Sequence, residues 1–491
     1  MTPLGYAYLH QALGLPAFEP QRPARIAPVT RVTIASNALL VPAHVAPQAQ
    51  DPLSHILFAL KHEGTNLQIL AQALPRVPAE DLTTAIRNAP SSAYIRIACY
   101  LWEYFTGKIL EAPANVAGPT ANLFDPRRYL TTRGIRNPKW RVRFNGLGSP
   151  DYCVTVERTS AIEDLLAQDI LGQATAFLGA LEPAAADRAL SWAYLHETES
   201  SFAIEREKPS ATKAETFVTL LQQAYLPHPL NEDYLVSLQN ATITNPPDKA
   251  AAYRHQQNWL RGPLRGAAGI TYVPPPPESV STLMTNILAL TDQAPKTIDP
   301  LVIAAVVSFA FVFVHPFMDG NGRLSRFLFH QVLAQSGKLP NGLLLPVSIA
   351  MKRNESAYLV ALQSFSVPAR KWWEVRWLDG EEYALRFMAD DTLYRYWDAT
   401  TCVTFGLQMA QQALERDLRE ETEFLARYDH IFKAVDDRFD VRNPDLTTLV
   451  LSCLQQNGRI SASRRKQYRL TVADAVFDAI EQAWAESFEP T

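Results

Sequence analysis

Cysteine is scarce: four residues in 491, at positions 99, 153, 402 and 453, with no CxxC pair among them. That spacing excludes a standard zinc ribbon, gives no sign of a disulfide framework, and fits scattered reduced thiols. An excess of one charge is also lacking, since 46 Lys and Arg stand against 50 Asp and Glu for a formal net charge of -4. A surface given over wholly to nucleic acid or anionic lipid is thereby disfavoured, although local patches are not. The first residues hold no basic stretch followed by an apolar one, so no secretory leader is expected. The longest apolar run, Leu301 to Val314, is broken only by Ser308 and is too short to cross a bilayer. It reads as a buried core helix. The expectation is a soluble, cytoplasmic chain without a membrane partner. A Walker A pattern, a His/Cys metal cluster and an internal repeat are missing too.

What is present is a globular composition, 47% apolar and 20% charged, in a chain long enough for several domains. Apolar spacing predicts helices over Ile56 to Leu74, Ser92 to Phe105, Ser160 to Leu195, Ala214 to Tyr225, Asn231 to Leu238, Ser279 to Leu290 and Leu324 to Gln335. A long charge-laced helical pattern follows over Phe405 to Tyr428, and another helix is expected over Leu446 to Gln456. Two strand-like pieces, Gln257 to Leu260 and Gly269 to Val273, flank a Gly- and Pro-containing loop and predict a hairpin. The prolines at 274–277 end its second strand, because proline cannot donate to a ladder. The fold class is mainly α with a minor β component. Three regions are expected: an N-terminal accessory region (1–155), a central domain (156–375) and a C-terminal helical domain (376–491).

The chemistry concentrates in His315-Pro316-Phe317-Met318-Asp319-Gly320-Asn321-Gly322-Arg323-Leu324-Ser325-Arg326, directly after the apolar run. An imidazole at the end of a buried helix suits general-base work. The Asp319 carboxylate can hold a hard cation such as Mg2+. Gly320-Asn321-Gly322 gives a sharp turn whose amides can approach an anion, and the helix that starts near Arg323 aims its N-terminus at the same place. Arg323 and Arg326 lie three apart on one helical face, within reach of one polyphosphate. Base, metal ligand, anion nest and two guanidiniums are the parts that phosphoryl-type transfer needs.

This segment resembles the signature of the Fic family, His-Pro-Phe-x-Asp/Glu-Gly-Asn-Gly-Arg-x-x-Arg, at every defined position. The resemblance implies a Fic-type helical bundle with a β-hairpin flap, flanked by accessory domains. It implies transfer of AMP from ATP, with Mg2+, to a Ser, Thr or Tyr hydroxyl of a protein. His315 would be the base and Asp319 the metal ligand. Gly320, Asn321, Gly322 and Arg323 would hold the α- and β-phosphates, and Arg326 the γ-phosphate. The hairpin resembles the family's flap, which aligns a target by strand addition, with Trp259, Leu260, Gly269 and Ile270 as its candidates. Ser201-Phe202-Ala203-Ile204-Glu205-Arg206 resembles the inhibitory motif Ser/Thr-x-x-x-Glu-Gly/Asn. That places an inhibitory helix near 198–206, with Ser201 and Glu205 directed at Arg326. Arg206 departs from the Gly or Asn expected there, which predicts a shifted or weaker brake. Tyr358, in the segment Met351 to Leu362, would lie on the adenine side.

Alternatives stay open: a transferase using another nucleotide donor, a de-AMPylating enzyme, or a DNA-binding regulator whose Fic domain senses nucleotide. The last rests only on the basic stretch Arg459 to Arg469, with Arg464, Arg465 and Lys466 beside Tyr468, which could touch nucleic acid as in a winged-helix module, although basic helix faces are more often solvated. The target protein, self-modification and oligomerisation are not legible.

Overall fold

The computed structural model describes residues 3–487, apart from 36, 49, 114, 244, 294–296, 341 and 381. The N-terminal region packs short helices and small sheets around its own apolar cluster, which includes Ile56, Leu70, Trp102 and Trp140. The helix expected over Ile56 to Leu74 is two, Pro52–His62 and Leu67–Ala73. Gly64 turns left-handed at φ +94° between them, and the Asn66 side chain accepts from the Ile69 amide to cap the second. The helical stretch expected over Ser160 to Leu195 divides likewise into Ser160–Ala167, Ile170–Gly179 and α1, Pro183–Ile204. Asp169 is left-handed at φ +49° at the first break, and Pro183 opens α1 in the first turn, where a missing N–H costs nothing.

The central core is built from α2 (Ala211–Gln223), α3 (Glu232–Thr242), α4 (Pro277–Gln293), α5 (Pro300–Val314), α6 (Asn321–Gln335), α7 (Val347–Arg353), α8 (Glu355–Arg370) and α9 (Thr400–Gln412). All fifteen residues of α5 are buried, as its uniformly apolar sequence requires. It lies among α4, α6 and α9. The expected boundary at 375 therefore precedes a helix, α9, whose Phe405, Met409 and Ala410 belong to the central apolar cluster. The chain reaches α9 through a strand, Tyr396–Asp398, that pairs in parallel with Tyr152–Thr155. This joins the central and N-terminal regions through one three-stranded sheet.

Two hairpins stand beside the core. The flap pairs β1 (Leu260–Arg261) with β2 (Ile270–Tyr272) antiparallel, with an irregular register at Leu260/Arg261. A longer ribbon, absent from the sequence expectation, pairs β3 (Trp373–Asp379) with β4 (Glu382–Phe387). After α9 the backbone widens into a π-type turn over Ala413–Leu418 and continues as Arg419–Asp436, so the long pattern over Phe405 to Tyr428 is interrupted. The C-terminal helices Asn443–Gln455, Ala462–Tyr468 and Asp474–Glu486 close on Ile431 and Val435 through Leu446, Leu449, Phe477 and Ile480. Among the described residues no strand follows Asp398, so the wing of a winged-helix module is not formed there. No helix of the described residues is long and apolar enough to cross a membrane.

Candidate active site

Helix α5 opens with Asp299 accepting from the Leu301 amide and closes where His315 turns left-handed at φ +51° before Pro316. A branched or bulky side chain in that conformation costs about 1–2 kcal/mol, so the surroundings must hold it. They do so from three sides. The His315 amide donates to Phe311 O at 2.9 Å, its ring Nδ1 lies 3.0 Å from Val312 O, and its carbonyl accepts from Arg254 Nε at 2.8 Å. With Nδ1–H donating to Val312, the other ring nitrogen, Nε2, is left unprotonated. Burial, helped by the Arg254 charge, pushes the imidazole pKa down to about 4. His315 is thus neutral at physiological pH and only partly exposed. It can accept a proton.

The loop after His315 is braced from within. Asn321 Oδ1 accepts from the Phe317 amide at 3.0 Å while its Nδ2 donates to Phe317 O at 2.8 Å, and Asn258 Nδ2 donates to the same carbonyl at 3.0 Å. Asn321, expected among the phosphate-holding residues, thus has its side chain committed to the loop, so only its backbone can face an anion. Gly320 sits at φ +85°, where a side chain would be strained and a Cβ would lie 3.1 Å from Ile243 Cδ1. Its amide donates to Asp319 Oδ1 at 2.6 Å. The Asp319 side chain is 48% exposed, and among the described residues its ion pair is a long 3.4 Å contact to Arg323.

Arg323 and Arg326 are each 1% exposed, though long cationic side chains are rarely buried without partners. The partners come from α1 and the residues after it. Arg326 Nε donates to Ser201 Oγ at 2.8 Å, and its Nη2 donates to Ser201 O at 2.7 Å and Glu205 Oε1 at 3.0 Å. Arg323 Nη1 donates to Glu207 Oε2 at 3.0 Å and Thr242 O at 3.2 Å, with the guanidinium over the Phe202 ring. Arg326 Nη1 and Arg323 Nε are buried without a hydrogen-bond partner among the described residues. Such unsatisfied donors on buried cations suit an incoming anion. Glu205 also occupies the space beside Gly322, where a Cβ would lie 2.0 Å from its Oε1.

Helix α1 ends in a Schellman closure: the Glu207 amide donates to Phe202 O and the Arg206 amide to Ala203 O, both at 3.0 Å. Arg206 takes the left-handed position at φ +60°. A Gly or Asn at this point of the motif therefore has a backbone reason, and Arg206 meets the same geometry under strain. Two turns earlier, buried Glu197 lies 2.7 Å from His330 Nε2 and accepts from the Ser348 amide at 2.8 Å, tying α1 to α6 and α7.

The Fic/DOC family pattern matches residues 229–333, the span that contains Arg254, α5, the loop and both arginines. The chain carries a Fic domain. It is 36% identical over 92 residues to protein adenylyltransferase fic-1 of Caenorhabditis elegans, covering 18% of each chain. Against protein adenylyltransferase Fic of Nematostella vectensis the identity is 36% over 70 residues, 14% of this chain and 16% of that one. The chain thus matches under a fifth of the length of these relatives. A Fic family protein from Desulfovibrio desulfuricans G20 superposes with TM-score 0.41 and 19% identity over 66% of this chain and 89% of that one.

Around the Fic domain the flap candidates divide. Leu260 is exposed and Trp259 partly so, its ring 5.4 Å from that of Tyr383 in the ribbon. Gly269 and Ile270 are buried, and a Cβ on Gly269 would meet Leu264 O at 2.1 Å. Arg370 Nε donates to Ile270 O at 2.9 Å, tying β2 down, so β1 is the outer strand of the flap. Tyr358 stacks on Phe405 at 5.5 Å beside Phe309, and its phenol pKa is raised by burial against the lowering charge of Arg326. Its neighbour is therefore the second motif arginine. Sequence reasoning missed Arg254, Glu207 and the ribbon. The ribbon had a readable signal, alternating residues around Asp379-Gly380, a dipeptide typical of tight hairpins. Glu207 and Arg254 had none, because nothing local distinguishes a buried partner from a solvated charge.

Proposed function

We propose that this chain is a protein adenylyltransferase that moves AMP from ATP to a Ser, Thr or Tyr hydroxyl, restrained by Glu205. One observation carries the reading: a neutral imidazole with a free ring nitrogen precedes a helix N-terminus on which two buried arginines each retain a donor without a hydrogen-bond partner among the described residues. The hydroxyl oxygen bonds to the α-phosphorus as its proton passes to His315 Nε2. The bond from the α-phosphorus to the bridging oxygen breaks, and pyrophosphate leaves. Arg323 and Arg326 offset charge on the phosphate oxygens. The half-exposed Asp319 suits Mg2+, which keeps several waters and binds through one or two carboxylates together with substrate phosphates. Bound there, the ion would neutralise phosphate charge.

Glu205 holds Arg326 and Glu207 holds Arg323, so each arginine must exchange a carboxylate for phosphate before the nucleotide seats productively. The exposed outer strand β1 suits alignment of a target segment by main-chain pairing. Four buried free cysteines fit a reducing compartment, for which we propose the cytoplasm. The test is incubation with ATP labelled at the α-phosphate. Glu205→Gly should label above wild type and His315→Ala should not label. Equal labelling by Glu205→Gly and wild type would remove the brake, and no labelling by any variant would remove the transfer.

A further inference from the structure

Arg254 is 5% exposed, and among the described residues no carboxylate hydrogen-bonds or ion-pairs with its guanidinium. Its donors go instead to main-chain carbonyls: Nε to His315 O at 2.8 Å, Nη1 to Gln256 O at 3.1 Å, and Nη2 to Pro275 O at 2.5 Å and Val314 O at 3.3 Å. Its own amide donates to Pro316 O at 2.8 Å. Val314 and His315 close α5, where carbonyls lack intrahelical partners and the helix dipole is negative. A buried cation without a counter-ion is costly, and here the negative helix end and a fork of carbonyls replace the counter-ion. Burial lowers its pKa only to about 10, so it stays charged at neutral pH. Gln256 and Pro275 flank the flap on either side, so one guanidinium joins the flap's two roots to the peptide that carries His315.

We propose that Arg254 is a positioning residue that holds the His315 peptide in its left-handed turn and locks the flap's base to it. The proposal rests on the reading of His315 as the base. The charged groups acting on that imidazole are Arg254, which disfavours its protonation, and Glu205 and Asp319, which favour it. Removing the guanidinium leaves burial alone to oppose the two carboxylates and releases the carbonyls of the turn. Lysine at this position keeps the charge, but one ammonium cannot span four carbonyls.

The test uses the full chain carrying Glu205→Gly, so that the brake does not obscure the rate. Three readouts are taken for Arg254→Met and Arg254→Lys: transfer of α-labelled AMP, affinity for a fluorescent ATP analogue, and the His315 titration by NMR with 13C-labelled histidine, assigned with His315→Ala. In Arg254→Met, transfer should fall on the order of tenfold to a hundredfold, as displaced catalytic groups do, with little change in nucleotide affinity. The His315 titration should move to higher pH. Arg254→Lys should lose rate while its His315 titration stays nearer the parent's. An unchanged titration and rate in Arg254→Met would overturn the proposal, as would a rate loss fully explained by weaker nucleotide binding. If Arg254→Met does not fold, parent-like transfer in Arg254→Lys overturns it. A parent that transfers nothing removes the adenylyl-transfer reading alone, since the NMR titration still judges Arg254.

Discussion

Replacing Arg206 by glycine should tighten the brake, although it removes a residue adjacent to Glu205. Arg206 sits at φ +60° in the Schellman closure of α1. The left-handed conformation costs a side-chain-bearing residue about 1–2 kcal/mol, a cost glycine does not carry. Glycine gains roughly 0.5–1 kcal/mol of chain entropy when the helix end is released, which offsets part of that gain. The surface attraction between Arg206 and Glu355 is worth little. The net stabilisation of the closed end is about 0.5–1 kcal/mol, or roughly two- to fivefold in the population that frees Arg326. Initial rates of AMP incorporation from α-labelled ATP should therefore fall about two- to fivefold in Arg206→Gly. Arg206→Asn should fall between glycine and wild type, because asparagine tolerates the left-handed region. Arg206→Ala removes the charge but keeps the strain and should stay near wild type. A rise in rate with glycine, or equal effects of glycine and alanine, would refute the argument that backbone strain sets the strength of this brake.

Glu207→Gln should raise transfer less than Glu205→Gly does, and the double variant should exceed both, as read by the same labelling assay, because each carboxylate holds a different arginine. Transfer should be nearly flat with pH above about 5, since a pKa of about 4 keeps His315 neutral there, and should fall as pH drops through that value; an acid limb near 6.5 would show that burial does not depress the imidazole. Glu197→Ala removes a 1% exposed carboxylate from His330 and the Ser348 amide and should cost about 3 kcal/mol in urea unfolding. Gly320→Ala forces a side chain into φ +85° against Ile243 and should lower Tm and transfer together, with a cost of about 1–2 kcal/mol.

Some of this molecule is written locally. His315 to Arg326 is one helix end, one turn and one helix start, so contiguous residues determine its geometry, and the uniformly apolar α5 states its own burial. Ser201 and Glu205 share a face by helical spacing alone. The Asp379-Gly380 ribbon was equally local in its signal. Other features depend on neighbours far along the chain. Arg326 meets Ser201 across 125 positions, Arg323 meets Glu207 across 116, and Tyr396–Asp398 finds Tyr152–Thr155 across more than 240. Periodicity tells a residue which face it occupies but not which face lies opposite, and a charge on a helix looks the same whether it meets water or a buried guanidinium. Only packing removed water from Arg254, Arg323 and Arg326, and a cation without water must find carbonyls or carboxylates. The sequence by itself determined where the chemistry lies. The tertiary structure decided which groups hold that site in place and which keep it closed.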